Sequence, residues 1–227
     1  MIAAATALPT HNYCMDYQKF QEFERRALAT VYQEEPGGFH DDLIPKLAER
    51  FLPHFGLHAA NRILDIGSGP GVFCRAARDL GYSNITAITL SPEDAEACRS
   101  QGFSVIEASM TDLPLPDQSV DFIWCRHALE HSPYPLFTLW EWHRVLAAGG
   151  QAWLEVPAPD NERAYIHEFN PNHYSIMGES MWSALIQRAG FDIQSFWRYD
   201  IDLPFDTGPY AGRVINERSL MWSIRRK

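Results

Sequence analysis

One stretch constrains this chain more than any other. The apolar run Ile63-Leu64-Asp65-Ile66 leads directly into Gly67-Ser68-Gly69-Pro70-Gly71, and a helical segment follows as far as Leu80. Strand, glycine turn and helix in that order form the opening unit of a parallel α/β sheet. Glycines at alternate positions let the main chain turn sharply and let a ligand lie against it. The spacing is G-x-G-x-G. A dinucleotide fingerprint requires G-x-G-x-x-G, and a phosphate loop requires Gly-Lys followed by Ser or Thr. The ligand of this turn therefore need not be a phosphate.

The rest of the chain fits the same architecture. Strands are predicted at 85–90, 103–107, 120–125 and 151–156, alternating with helices that begin at Ser91-Pro92-Glu93 and at Pro135. The helix from Pro135 to Ala147 is predicted to stop at Gly149-Gly150. A helix at 179–189 and strands at 191–199 and 214–224 follow, the last weakened by Asn216-Glu217-Arg218. The pattern predicts an α/β, Rossmann-like, mostly parallel seven-stranded sheet with helices on both faces. Two N-terminal helices precede it. Asp16–Gln33 places Phe20, Phe23, Ala27 and Val31 on one face, and Asp41–His54 aligns Leu43, Leu47 and Phe51. We divide the chain into an N-terminal helical extension or lid (1–58) and a sheet domain (59–227). Irregular loops at 157–178 and 200–212 are expected on the acceptor side. Tyr13, Tyr17, Phe20 and Phe23 fit packing on the core; a lid over a pocket, or contact with a second subunit, is the other reading.

Composition narrows the partners. The 227 residues carry a formal net charge of -10, which disfavours a large nucleic-acid surface. Arg225, Arg226 and Lys227 read as a solvated cluster. The four cysteines, Cys14, Cys74, Cys98 and Cys125, form no C-x-x-C pair, so neither a disulfide framework nor a thiolate zinc site is expected, and a reducing cytoplasm fits. Met1 to Leu8 lacks Lys and Arg and breaks at Pro9, a poor signal peptide. No apolar run is long enough to span a bilayer.

The stretch Ile63–Leu80 resembles the first motif of class I S-adenosylmethionine-dependent methyltransferases, in particular the type 11-like domain. Four further segments resemble that family in the correct order: Asp112-Leu113-Pro114-Leu115-Pro116-Asp117, Val120-Asp121-Phe122-Ile123-Trp124, Leu129-Glu130-His131 with Pro133 and Pro135, and Arg144-Val145-Leu146 before Gly149-Gly150. The resemblance implies S-adenosyl-L-methionine as cofactor. It places Gly67, Ser68, Gly69 and Gly71 along the methionine and ribose, and has Asp65 hold that loop or face the amino group. It sets Leu90 against the adenine, and Cys125 and Arg126 beside the methionine. Two positions depart from the pattern. Thr89 stands where the family usually has an acidic residue for the ribose hydroxyls, and Ser109, beside Met110, stands where it usually has Asp for the adenine. Each loses charge assistance worth about 1 kcal/mol, and Asp112 is placed to compensate for Ser109.

The acceptor is expected to be a small molecule, sugar or lipid, methylated on oxygen or nitrogen. An oxygen acceptor needs a proton acceptor, and His131, just past the fourth strand, is the first candidate, followed by His173 and His167. No metal is expected. His127-Ala128-Leu129-Glu130-His131 also matches the inverted zinc-protease motif H-x-x-E-H. A zinc hydrolase using His127, Glu130 and His131 is thus an alternative, as is a metal group of His167, Glu168 and His173. A non-catalytic binding protein of the same fold is a third reading, motivated by Thr89 and Ser109.

Overall fold

The predicted strands form a single sheet in the computed structural model, which describes residues 17–29, 39–161, 171–205 and 212–227. The strands are β1 (Ile63–Ile66), β2 (Ile85–Thr89), β3 (Ser104–Glu107), β4 (Val120–Arg126), β5 (Leu146–Pro157), β6 (Phe191–Phe205) and β7 (Arg213–Arg226). Their order is β3-β2-β1-β4-β5-β7-β6. β1 to β5 pair in parallel, while β7 runs antiparallel between β5 and β6. The expectation of a mostly parallel seven-stranded sheet holds, with one antiparallel hairpin at its end.

The helices are α1 (Tyr17–Ala27), α2 (Phe39–Phe51), α3 (Val72–Asp79), α4 (Pro92–Ser100), α5 (Pro135–Val145) and α6 (Glu179–Arg188). Two cores cover the two sheet faces. On one, Phe51 and Phe55 pack with Phe73, Trp124 and Trp153. Phe73 stacks on Trp124 at 4.4 Å between ring centroids, and Trp124 stacks on its cross-strand partner Trp153 at 5.4 Å. On the other, Leu139 and Trp142 of α5 and Trp182 and Ile186 of α6 pack with Phe191 and Trp222. Burying one such aromatic side chain contributes roughly 1.5–3 kcal/mol, so these rings dominate the cohesion of both layers.

Several boundaries differ from the sequence reading. Asp41–His54 is not one α-helix: α2 ends at Phe51 and Leu52–Phe55 is a 3-10 turn. Pro53, lacking an N–H, breaks the α pattern there. Gly149-Gly150 does not stop α5; it lies inside β5, where register shifts between the pairs Val120↔Leu146 and Phe122↔Gln151. The predicted loop from Asp200 instead continues β6 to Phe205, because β7 pairs with it along that whole length. Pro204 is tolerated because β6 is an edge strand. The same pairing makes Asn216-Glu217-Arg218 part of β7.

Contacts divide the chain into Met1–Val31 and Tyr32–Lys227. In the first unit, Glu22 of α1 pairs with Arg25 at 2.5 Å and Arg26 at 2.6 Å. The second unit contains α2, grouped above with the extension, and its Leu47, Ala48 and Phe51 join the core beside α3. No described helix is long and apolar enough to cross a membrane.

Candidate active site

Connections leave β1 toward β2 on one side and β4 toward β5 on the other, so the carboxyl ends of β1 and β4 flank the switch point where α/β sheets bind ligands. Two loops meet there. Gly67, Gly69 and Gly71 all have left-handed φ, at 69°, 49° and 82°. A Cβ on Gly67 would lie 2.5 Å from the Cβ of Ala128, just beyond β4. The turn is fixed by Gly67 and Ser68 N–H groups donating to Ile88 O at 2.9 and 3.1 Å. Gly67 is exposed while Ser68 and Gly71 are buried. The loop thus presents bare main chain at the sheet's edge.

The other predicted cofactor residues lie at or just past the carboxyl ends of β1 to β4. Asp65 is buried and accepts a hydrogen bond from Cys74 Sγ at 3.3 Å. Thr89 ends β2, and its Oγ1 accepts from Ser91 N–H at 3.0 Å. Leu90 is exposed immediately after it. Ser109 Oγ lies 2.5 Å from Thr111 Oγ1, and Met110 O accepts from Trp142 Nε1 at 3.1 Å. Cys125 is fully buried, and burial pushes its thiol far above the usual range. An open glycine cradle, with buried polar groups behind it and an exposed apolar side chain beside it, fits an adenosyl amino acid.

Arg126 is turned into a buried network. Its Nε lies 3.1 Å from Glu155 Oε1, and its Nη2 donates to Tyr199 Oη at 3.3 Å. Tyr199 donates to Glu155 at 3.0 Å, and His127 Nε2 lies 3.3 Å from Glu155 and 3.0 Å from Ser219 Oγ. Burial opposes ionisation of Glu155, yet Arg126 and His127 outweigh it and hold the carboxyl at about 2. Sequence reasoning missed Glu155, Tyr199 and Ser219. An acid within the apolar run Ala152-Trp153-Leu154-Glu155-Val156 was the available signal.

The H-x-x-E-H residues separate. His127, at φ 49°, joins the Glu155 network, and Leu129–His131 is a single 3-10 turn rather than an α-helix. His173 comes in instead. Glu130 O accepts from the N–H groups of Tyr174 at 2.9 Å and Ser175 at 3.0 Å, while His131 Nδ1 lies 3.1 Å from Asn172 O. These bonds pin 172–175 against the turn, so the His131 and His173 rings meet edge to face at 4.7 Å. Burial, with His173 nearby, lowers His131 to about 4; burial raises Glu130 to about 7. His167 and Glu168 lie outside the described residues. Between α5 and α6, an apolar groove of about 670 Å³ runs from Tyr134 and Ser175 past Phe137 and Trp140 to Leu185 and Arg188.

A family model described as a methyltransferase domain matches residues 64–154, the span holding both loops. Residues 64–154 thus match a methyltransferase-domain family, and the sheet is that of the class I S-adenosylmethionine-dependent methyltransferase fold. Among similar proteins is the 27-O-demethylrifamycin SV methyltransferase of Amycolatopsis mediterranei, 26% identical over 72% of this chain and 66% of that protein. The ubiquinone biosynthesis O-methyltransferase of Pseudomonas aeruginosa is 28% identical over 81% of this chain and 78% of its own length. The solved SAM-dependent methyltransferase of Archaeoglobus fulgidus shares the fold, with TM-score 0.64 at 15% identity over 93% of this chain and all (100%) of that one. The match thus spans 66% of the rifamycin protein's length.

Proposed function

We propose that this methyltransferase acts on a hydroxyl of a small, largely apolar acceptor. The observation that carries the reading is the triple left-handed glycine turn, open at the switch point and closed behind by Ala128. S-adenosylmethionine supplies a methyl group already activated by its sulfonium. The protein's task is then to bind, align and exclude water. Gly67, Ser68, Gly69 and Gly71 offer main chain to the amino acid and ribose, with Asp65 behind them. Thr89, Leu90, Ser109 and Met110 border the nucleoside. Cys125 and Arg126 underlie the methionine end; the ion pair to Glu155 occupies the Arg126 side chain.

The acceptor reading draws on three supports. The two relatives described above are named for transfer to oxygen on small molecules. The apolar groove falls within the size range of small-ligand sites. The Glu130, His131 and His173 cluster provides groups to deal with a hydroxyl proton, His131 first and His173 second. Calorimetry with S-adenosylmethionine tests the cofactor half, with Gly69→Arg expected to abolish binding. Product analysis with phenolic, alcoholic and amine acceptors tests the other half. Transfer confined to amines would overturn the oxygen assignment.

A further inference from the structure

We infer that Glu130, His131 and His173 form a binding site for one divalent transition-metal ion of the zinc class. One ligand atom from each residue lies within 4.8 Å of the other two, and His173 Nε2 stands 3.9 Å from Glu130 Oε1. Two imidazoles and a carboxylate are donors that zinc accepts. Ligands about 2.1 Å from a tetrahedral ion stand roughly 3.4 Å apart, so the side chains need close by only about 0.5–1.4 Å.

Glu130 gives the independent observation. It is 0% exposed, and neither carboxylate oxygen has a hydrogen-bond partner among the described residues. A carboxylate buried without hydrogen-bond partners is costly, and a bound cation offsets that cost. The surrounding bonds also suit a metal site. His131 Nδ1 faces the carbonyl of Asn172. A ring that donates there carries its lone pair on Nε2, the arrangement typical of metal-bound histidines. The main-chain bonds from Tyr174 and Ser175 to Glu130 O fix the spacing of the two ligand segments.

Three protein ligands leave a fourth position open, as in catalytic rather than structural zinc sites. In the hydroxyl reading, on which this role rests, the acceptor oxygen takes that position. With both imidazole lone pairs on the ion, His131 and His173 no longer accept the hydroxyl proton as in the metal-free reading above; the ion instead favours its loss to solvent. The oxygen's electron pair then forms the new O–CH3 bond, and the S–CH3 pair leaves with sulfur.

The test uses untagged, full-length protein stripped with a chelator and titrated with Co2+, followed by absorption spectroscopy, with Zn2+ as competitor. One equivalent is expected to give visible d–d bands that Zn2+ abolishes. Glu130→Gln and His173→Ala are expected to weaken binding by about 100-fold or more, while their melting curves and S-adenosylmethionine binding show that they remain folded. A folded wild type without Co2+ bands, or variants that bind Co2+ as tightly as wild type, would overturn the site. Full methyl transfer by stripped protein in chelator would overturn the catalytic role. Failure of S-adenosylmethionine binding would sink the methyltransferase reading and leave the metal result standing.

Discussion

Gly67 is constrained twice, by its backbone angle and by its neighbour. Gly67→Ala sets a methyl group against Ala128 in a left-handed conformation. It is expected to cost about 1–3 kcal/mol and to weaken S-adenosylmethionine binding, measured by thermal melting and calorimetry. Glu155 makes a second residue-scale case. Its folded value of about 2 lies below the ordinary 4.5, so its stabilisation is present above about pH 4.5 and fades as pH falls toward 2. Glu155→Gln leaves the Arg126 guanidinium buried without its counter-charge, at a cost of about 3–5 kcal/mol. It should also flatten the acid limb of stability between pH 4.5 and 2, read by urea unfolding across pH. A variant as acid-sensitive as wild type would show that the pair does not set that limb. The glycine turn was legible in the sequence because its chemistry is local. The Arg126–Glu155–Tyr199 network was not, since its members come from three strands.

At the scale of elements, local signals read well where a single residue decides the geometry. Ser91 caps α4, its Oγ accepting from Asp94 N–H at 3.1 Å, with Pro92 at the first helical position. Ser91→Ala is expected to lose about 1 kcal/mol in chemical denaturation. A change below about 0.3 kcal/mol would show that the cap bond contributes little in this context. Reading failed where pairing overrode propensity. Gly149 and Gly150 look like a helix stop, yet pairing of Leu146 with Val120 draws them into β5. Asp200 to Phe205 looks like a loop and becomes strand because β7 supplies a partner for every residue. The H-x-x-E-H motif pointed to the wrong first histidine for a related reason, since His127 joins Glu155 and His173 stands near Glu130 and His131 instead. The motif assumes a helix, and Pro133 and Pro135 leave room for one 3-10 turn only.

For the molecule as a whole, the alternation of strands and helices was enough to predict the sheet and its helical layers. It did not give the position of β7, because strand order at the end of a sheet depends on long-range pairing. β7 touches β5 on one side and β6 on the other, burying Leu220, Trp222 and Ile224. Removing residues 213–227 is therefore expected to abolish cooperative unfolding, followed by tryptophan fluorescence in denaturant. A truncated chain with a sharp transition would show that β1 to β5 and their helices stand alone.

Because β7 is made after β6 yet sits inside it, the growing polypeptide reaches the ribosome's exit with a gap in its sheet. Until residues 213–226 emerge, β6 has no neighbour to join and the outer edge of β5 stays bare. Protein synthesis thus leaves this edge open to mispairing until β7 is made, and a pause or early stop codon before it would release a chain prone to aggregate.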